Sequence, residues 1–228
     1  MYQINDVKAV IAKVAAAIHA QKDYLGELDG KSGDGDLGLS MEAAFHAVQE
    51  TADTYEGTQI SELLMKSAMS CNKAAPSTMG TLMSSGIMAI AKSAKGKDGF
   101  EDADVVAMPR LFAEALMARG GAKPGDKTIL DALCPMADTV EAAFAEGKSL
   151  RDAFLAGADT AEKSAQATAG MRAAAGRAKW LGERAAEYPD GGAILCGIIA
   201  LALVSCGHGA GTHYDILAAQ SWQDMHCQ

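Results

Sequence analysis

INDVKAVIAKVAAAIHAQKDYL, residues 4–25, places Ile4, Val7, Val10, Ile11, Val14, Ile18 and Leu25 at steps of three and four. That spacing collects side chains on one face of an amphipathic helix. The same period recurs over 39–54, 60–73, 78–95, 103–119, 128–146, 150–167 and 191–206, and no segment alternates as a half-buried strand would. The breaks at 29–38, 55–58, 74–77, 96–99, 120–126 and 189–192 carry Gly, Pro or Asp, residues that stop helices or start them. The pattern predicts an all-α fold of eight antiparallel amphipathic helices in an up-and-down barrel or bundle. In that order every second connector returns to the same end, so those after the first, third, fifth and seventh helices are expected to meet there. No Pro/Gly/Ser-rich stretch or solenoid-length repeat divides residues 1–228, which read as a single domain with a frayed tail at 221–228.

Composition narrows the chemistry. Of 228 residues 49% are hydrophobic but only 5% aromatic, so the core must be built from Ala, Leu, Ile and Met, as closely packed helices allow. A net charge of -9 with scattered basic residues excludes an electrostatic footprint for nucleic acid. Five widely spaced cysteines, Cys71, Cys134, Cys196, Cys206 and Cys227, read as free thiols of a reducing compartment. MYQINDVKAV lacks a basic n-region and a continuous apolar h-region, and the most apolar run, Ala193–Cys206, is too short to span a bilayer unaided. A cytoplasmic protein without membrane attachment is expected, with Ala193–Cys206 as a buried core helix. Cys206, His208 and His213 match no standard zinc spacing and read as core and loop residues.

The break after the first helix, Leu28-Asp29-Gly30-Lys31-Ser32-Gly33-Asp34-Gly35-Asp36-Leu37-Gly38, sets three acidic residues among four glycines. Magnesium takes oxygen ligands in near-octahedral geometry and keeps water or substrate phosphate in part of its shell. Three carboxylates on a glycine-bearing turn can supply one side of it, with Asp29 approaching from the end of the first helix. A calcium EF-hand loop does not fit, since counting from Asp34 leaves Gly38 and Phe45 at ligand positions. Ordinary capping of the second helix by these aspartates is the competing reading.

Three further connectors bear on the choice. Pro76-Ser77-Thr78-Met79-Gly80 begins a helix, whose free N–H groups and positive dipole end favour an anion, with two hydroxyls beside them. Gly120-Gly121-Ala122-Lys123-Pro124-Gly125-Asp126-Lys127-Thr128-Ile129 precedes another helix, with Asp126 its expected cap. Ala169–Ala178 is small and carries Arg172 and Arg177, which could reach phosphate. Neither a Walker A loop nor a Rossmann fingerprint occurs.

Asp29 with Gly33-Asp34-Gly35-Asp36-x-Gly38, Pro76-Ser77-x-Met79-Gly80, Gly125-Asp126-Lys127-Thr128, Gly176-Arg177-Ala178 and Asp190-Gly191-Gly192-Ala193 together resemble the dihydroxyacetone kinase L subunit, in order over nearly the whole chain. The resemblance implies a barrel of eight helices holding ADP or ATP and two magnesium ions at one end. It implies Asp29, Asp34 and Asp36 as metal ligands, and Leu37, Gly38, Leu39, Ser40, Ser77, Thr78, Met79, Gly120, Ile129, Arg177, Asp190 and Gly191 as nucleotide-contacting positions. It further implies a separate K subunit that holds dihydroxyacetone or a related keto sugar such as erythrulose, so that this chain transfers a phosphoryl group to a substrate it does not itself bind. No general base is expected here. Leu37 stands where members that retain ADP often have His, which leaves open whether ATP or a phosphotransferase-system phosphoprotein is the donor. A nucleotide-sensing regulatory module without turnover is the alternative.

Overall fold

The computed structural model of the chain describes residues 1–176, 179 and 185–204. Within them lie eight helices: α1 (Ile4–Ser32), α2 (Leu37–Thr54), α3 (Ile60–Ala74), α4 (Thr78–Ser93), α5 (Asp102–Gly120), α6 (Leu130–Ala145), α7 (Leu150–Ala167) and α8 (Gly191–Val204). Among the described residues there is no strand, only an isolated bridge in which Tyr2 and Phe100 exchange backbone hydrogen bonds of 2.7 and 3.0 Å. Each helix packs on the next, and α8 returns to α1, so the eight close into a ring. This is the antiparallel up-and-down barrel that the spacing predicts.

The ring closes because each helix turns small and aliphatic side chains inward. Ile18 and Leu25 of α1, Met41 of α2, Leu63 of α3, Met83 of α4, Leu116 of α5, Val140 of α6 and Ile194 of α8 are all essentially fully buried. Burying each such side chain is worth about 1.5–3 kcal/mol. From α7 the inward residues are Ala153, Ala158 and Ala161, and Gly157 sits so close to Val140 and Met136 that any side chain there would strike α6. Helix starts are fixed locally. Gln3 with Asp6 and Glu101 with Asp104 form capping boxes, and Ser77 and Ser149 accept from Gly80 N and Asp152 N.

Two expectations are corrected. α1 does not stop at Leu25 but runs to Ser32, and α2 begins at Leu37 rather than 39. The buried series Leu25, Leu28, Ser32 keeps the helical step, but its last member is a serine, so hydrophobicity alone loses the track. Asp29 is therefore helical, and the connector shrinks to Gly33–Asp36. At the far end, Ala185–Val204 has, by length and composition only, what a bilayer-crossing helix needs, but its continuous α-helical part is the 14-residue Gly191–Val204. That part is α8, ten of whose residues are buried, packed against α1, α6 and α7 as the core helix expected of it. Cys71, Cys134 and Cys196 are free and buried; Cys206, Cys227, His208, His213 and the tail 221–228 lie outside the described residues.

Candidate functional site

The connectors after α1, α3, α5 and α7 do converge, and two glycines of α8 show how closely. A side chain at Gly191 would fall 2.8 Å from Leu37 Cδ2 and 4.0 Å from Asp29 Cβ; one at Gly192 would fall 2.8 Å from Met79 Cε and 3.4 Å from Ile129 Cβ. The first turn of α8 thus lies against the aspartate loop on one side and the starts of α4 and α6 on the other. A side chain at either position would have to push aside the end of Leu37 or of Met79.

In the aspartate loop, carboxylate oxygens of Asp29, Asp34 and Asp36 lie within 4.8 Å of one another. Local geometry produces this. Gly35 takes a left-handed backbone (φ +77°), which folds Asp34 and Asp36 back over the end of α1, and its N–H donates to Asp29 Oδ2 at 2.8 Å. At Gly33 a Cβ would overlap Asp29 Oδ1, so that position too must lack a side chain. Gly38 is buried with its Cα against the Lys22 carbonyl, which lets α2 leave the loop in contact with α1. Asp36 stands at the N-cap of α2 without making a side-chain capping bond, and Asp29 holds the turn through Gly35 N. Three like charges at this separation repel by about 1 to 4 kcal/mol per pair, according to the local dielectric. An all-oxygen, triply anionic set on the protein surface, Asp29 half-buried and the others exposed, fits a hard divalent cation such as magnesium.

The remaining predicted positions divide by depth. Leu37 is buried against Gly191, Leu39 is 66% exposed, and Ser40 is half-buried in the first turn of α2. Ser77 caps α4 through Gly80 N at 3.1 Å, with Thr78 exposed and Met79 half-buried beyond it. Gly120 ends α5 in an exposed position beside Leu82, and Ile129 is buried at the start of α6. Asp190 Oδ1 accepts from Ala193 N at 2.8 Å and so caps α8. Burial pushes the Asp190 carboxyl up to about 6, against the backbone N–H groups and Lys127, which favour its charged form. Arg177 lies outside the described residues.

Asp126 does not cap α6. Its carboxylate accepts from Lys123 N at 2.9 Å within the connector, whereas Asp131, the second residue of the helix, accepts from Gly125 N at 2.5 Å and Thr128 N at 2.6 Å. α6 accordingly begins at Leu130, later than the apolar pattern implies. Sequence reading also misses Lys127. It is 1% exposed, and among the described residues it is the one non-glycine with positive φ (58°), a backbone that costs about 1–3 kcal/mol unless its surroundings hold it. A lysine after Pro124-Gly125-Asp126 carries no sign of burial, and the left-handed backbone that marks it is set by the fold rather than by its residue type.

A DAK2 domain profile matches residues 31–205. The D-erythrulose kinase of Mycolicibacterium smegmatis is 35% identical over 197 residues, 85% of this chain and 34% of that protein. The ADP-binding subunit DhaL of the PEP-dependent dihydroxyacetone kinase of Escherichia coli is 30% identical over 173 residues, 76% of this chain and 82% of the subunit. The chain therefore spans about a third of the erythrulose kinase and most of the DhaL subunit. Among solved structures, the dihydroxyacetone kinase of C. freundii in complex with AMP-PNP and Mg2+ superposes with a TM-score of 0.67 at 23% identity, over 87% of this chain and 33% of that one, and so shares its fold. By the profile match and the coverage of the DhaL subunit, the chain belongs to the DAK2 domain family and is a DhaL-type domain.

Proposed function

We propose that this chain is the nucleotide-binding subunit of a cytoplasmic keto-sugar kinase, with Asp29, Asp34 and Asp36 holding two magnesium ions on the phosphates of ADP or ATP. The convergence of the three carboxylates within 4.8 Å, at the end where α4, α6 and α8 begin, carries the reading. The names of its relatives support it: the E. coli subunit is described as ADP-binding, and the C. freundii kinase of the same fold was crystallised with AMP-PNP and Mg2+. When bound, magnesium neutralises phosphate charge and lowers the cost of moving a phosphoryl group.

The chain's own residues position. Gly35 turns the aspartates toward one point, and Asp29 is held to that turn by the Gly35 N–H. The starts of α4 and α8 bring backbone N–H groups and the positive ends of two helix dipoles to the same end, where phosphate is favoured. Thr78 adds a hydroxyl, while Leu37, Met79 and Ile129 supply an apolar wall. Gly38, Leu39, Ser40, Ser77, Gly120, Asp190 and Gly191 complete the nucleotide-facing set, and Arg177 is assigned to phosphate. Positioning and electrostatics suffice for in-line transfer, so no nucleophile or general base is assigned to this chain. The accepting hydroxyl belongs to dihydroxyacetone or a related keto sugar held by a K-type partner.

Asp34→Asn tests the reading. Calorimetry with magnesium and ADP or ATP should show affinity falling at least tenfold, and turnover with a K-type partner and dihydroxyacetone should fall with it. Undiminished binding in the variant would remove the proposal. Nucleotide binding by the wild type without turnover would instead make the chain a sensor. Running the turnover assay with ATP and with a phosphotransferase-system phosphoprotein distinguishes the two donors.

A further inference from the structure

The α7–α8 crossover does not rest on the barrel by apolar contact alone. Its described parts are tied at several points to the α5–α6 connector and to each other. Ala174 N donates to Asp126 O at 3.0 Å, fastening the limb that leaves α7. One residue on, Lys127 Nζ donates to Ala185 O at 2.6 Å and Tyr188 O at 2.8 Å, fastening the limb that approaches α8. The limbs are joined by Gly170 N to Ala186 O at 2.7 Å and by Asp190 N to the buried Thr168 Oγ1 at 2.8 Å. Two adjacent residues of one connector thus hold both limbs of a crossover some 50 to 60 residues away in the chain.

The choice of lysine has a chemical reason. Ala185–Glu187 are 3-10 helical, and Ala185 O and Tyr188 O, three residues apart, both point to the Lys127 ammonium. An ammonium has three donors and no acceptor, so it can gather two carbonyls at once, which no hydroxyl can. Burial lowers the Lys127 pKa, and the nearby Asp190 charge opposes that effect. Tyr188 also meets the last turn of α1, just before the aspartate loop: Lys31 Nζ lies 4.7 Å above its ring. Two residues beyond Tyr188, Asp190 caps α8, and the next residue, Gly191, packs beside Asp29 and Leu37.

We propose that Lys127 is a positioning residue of this site: by gathering the carbonyls of Ala185 and Tyr188 it fastens the crossover to the α5–α6 connector and holds the start of α8 in register with the aspartate loop. The site it serves is the magnesium–nucleotide site proposed above, and the proposal rests on that reading. Lys127 itself does not touch the nucleotide. Its effect reaches the ligand through the placement of Asp190, Gly191 and the first N–H groups of α8.

The test uses the full chain and its Lys127→Met variant, which keeps the length and apolar stem but removes every donor. Hydrogen exchange should quicken at least tenfold at the amides of Gly170, Ala174 and Asp190 while those of α3 and α4 stay as in the wild type. At a temperature well below unfolding, the dissociation constant for magnesium–ADP should rise at least tenfold. Unchanged exchange at the three amides, or quickened exchange with unchanged affinity, would overturn the proposal. Should the variant not fold, mass-resolved acylation of the wild-type lysines decides: Lys127 should react at least 100-fold more slowly than Lys148 or Lys163, and equal rates would overturn it. A wild type that binds no nucleotide with magnesium present would refute the functional reading, whereas binding by the wild type with no loss in the variant would refute the role of Lys127 alone.

Discussion

Gly38→Ala adds one methyl group where the structure has no room for it. The new Cβ would collide with the Lys22 carbonyl oxygen and lie 3.0 Å from Gly26 N, both backbone atoms of α1. Neither can rotate aside, so α2 and α1 must part by roughly 1.5 Å to restore van der Waals distance where α2 begins against α1. Overpacking of this kind costs about 1–3 kcal/mol, and a backbone-on-backbone clash belongs at the upper end. Alanine's better helix propensity returns about 0.5–1 kcal/mol, leaving a net loss of about 2 kcal/mol. For a domain of this size that lowers Tm by roughly 4–8 °C. Circular-dichroism melts would measure it, with Gly120→Ala as the control. There the added methyl meets only Leu82 Cδ2, at 3.1 Å, the end of a side chain that can turn away, and Tm should hold or rise slightly. Since the parting displaces Asp36 from Asp29, magnesium–nucleotide affinity should fall in Gly38→Ala as well. A variant melting within 1 °C of wild type, in the sense of the roughly 4 °C floor above, would refute the argument from close helix approach.

Asp131→Ala should destabilise by about 1–3 kcal/mol in urea titrations, because Gly125 N and Thr128 N lose a shared charged acceptor; Asp126→Ala, which frees only Lys123 N, should cost less, and the reverse order would contradict Asp131 as the carboxylate that holds the connector. Asp190→Asn keeps an acceptor for Ala193 N while removing a carboxyl whose folded pKa of about 6 exceeds the ordinary value near 4. Wild-type stability associated with that proton is fully present below about pH 4 and lost as pH rises through about 6, so the variant should gain on the wild type across this window, by at most about 3 kcal/mol. A pH-independent difference in the nucleotide-free protein would refute this. Cys71 and Cys196, pushed up by burial to about 11 and about 12, should resist iodoacetamide at pH 8 until the chain is unfolded, as peptide mapping would show.

The barrel was legible because its signals are local and repeated: the three-and-four step marks each helix, and the parity of connectors in an up-and-down order brings the four unusual ones to one end. That Asp29, Asp34 and Asp36 lie together was legible for a related reason, since a glycine-bearing turn of a few residues keeps its carboxylates close; alone it read equally well as capping, and its company at the shared end favoured a cation. The misread features are those in which a polar residue does the work of an apolar one or a neighbour competes for the same role. Ser32 continues the buried face of α1 without being apolar. Asp126 and Asp131 both stand near the start of α6, and only the turn geometry decides which carboxylate meets which N–H. Lys127 gives no sign at all, because its partners are backbone carbonyls and any residue type at 185 or 188 would offer them.

The closing contact between α1 and α8 gives the site a place in time. Asp29 leaves the ribosome about 160 residues before Gly191, or roughly 8–30 s earlier at ordinary rates of synthesis. Until α8 arrives, the aspartate loop has no wall on that side and the sequential helices form an open arc, its two edges apolar. α8 is itself apolar on every face, so before docking it is the segment most exposed to capture by other nascent chains or by chaperones. Because α8 supplies one wall of the proposed site, nucleotide supplied during refolding should act as a reporter of α8 docking on α1.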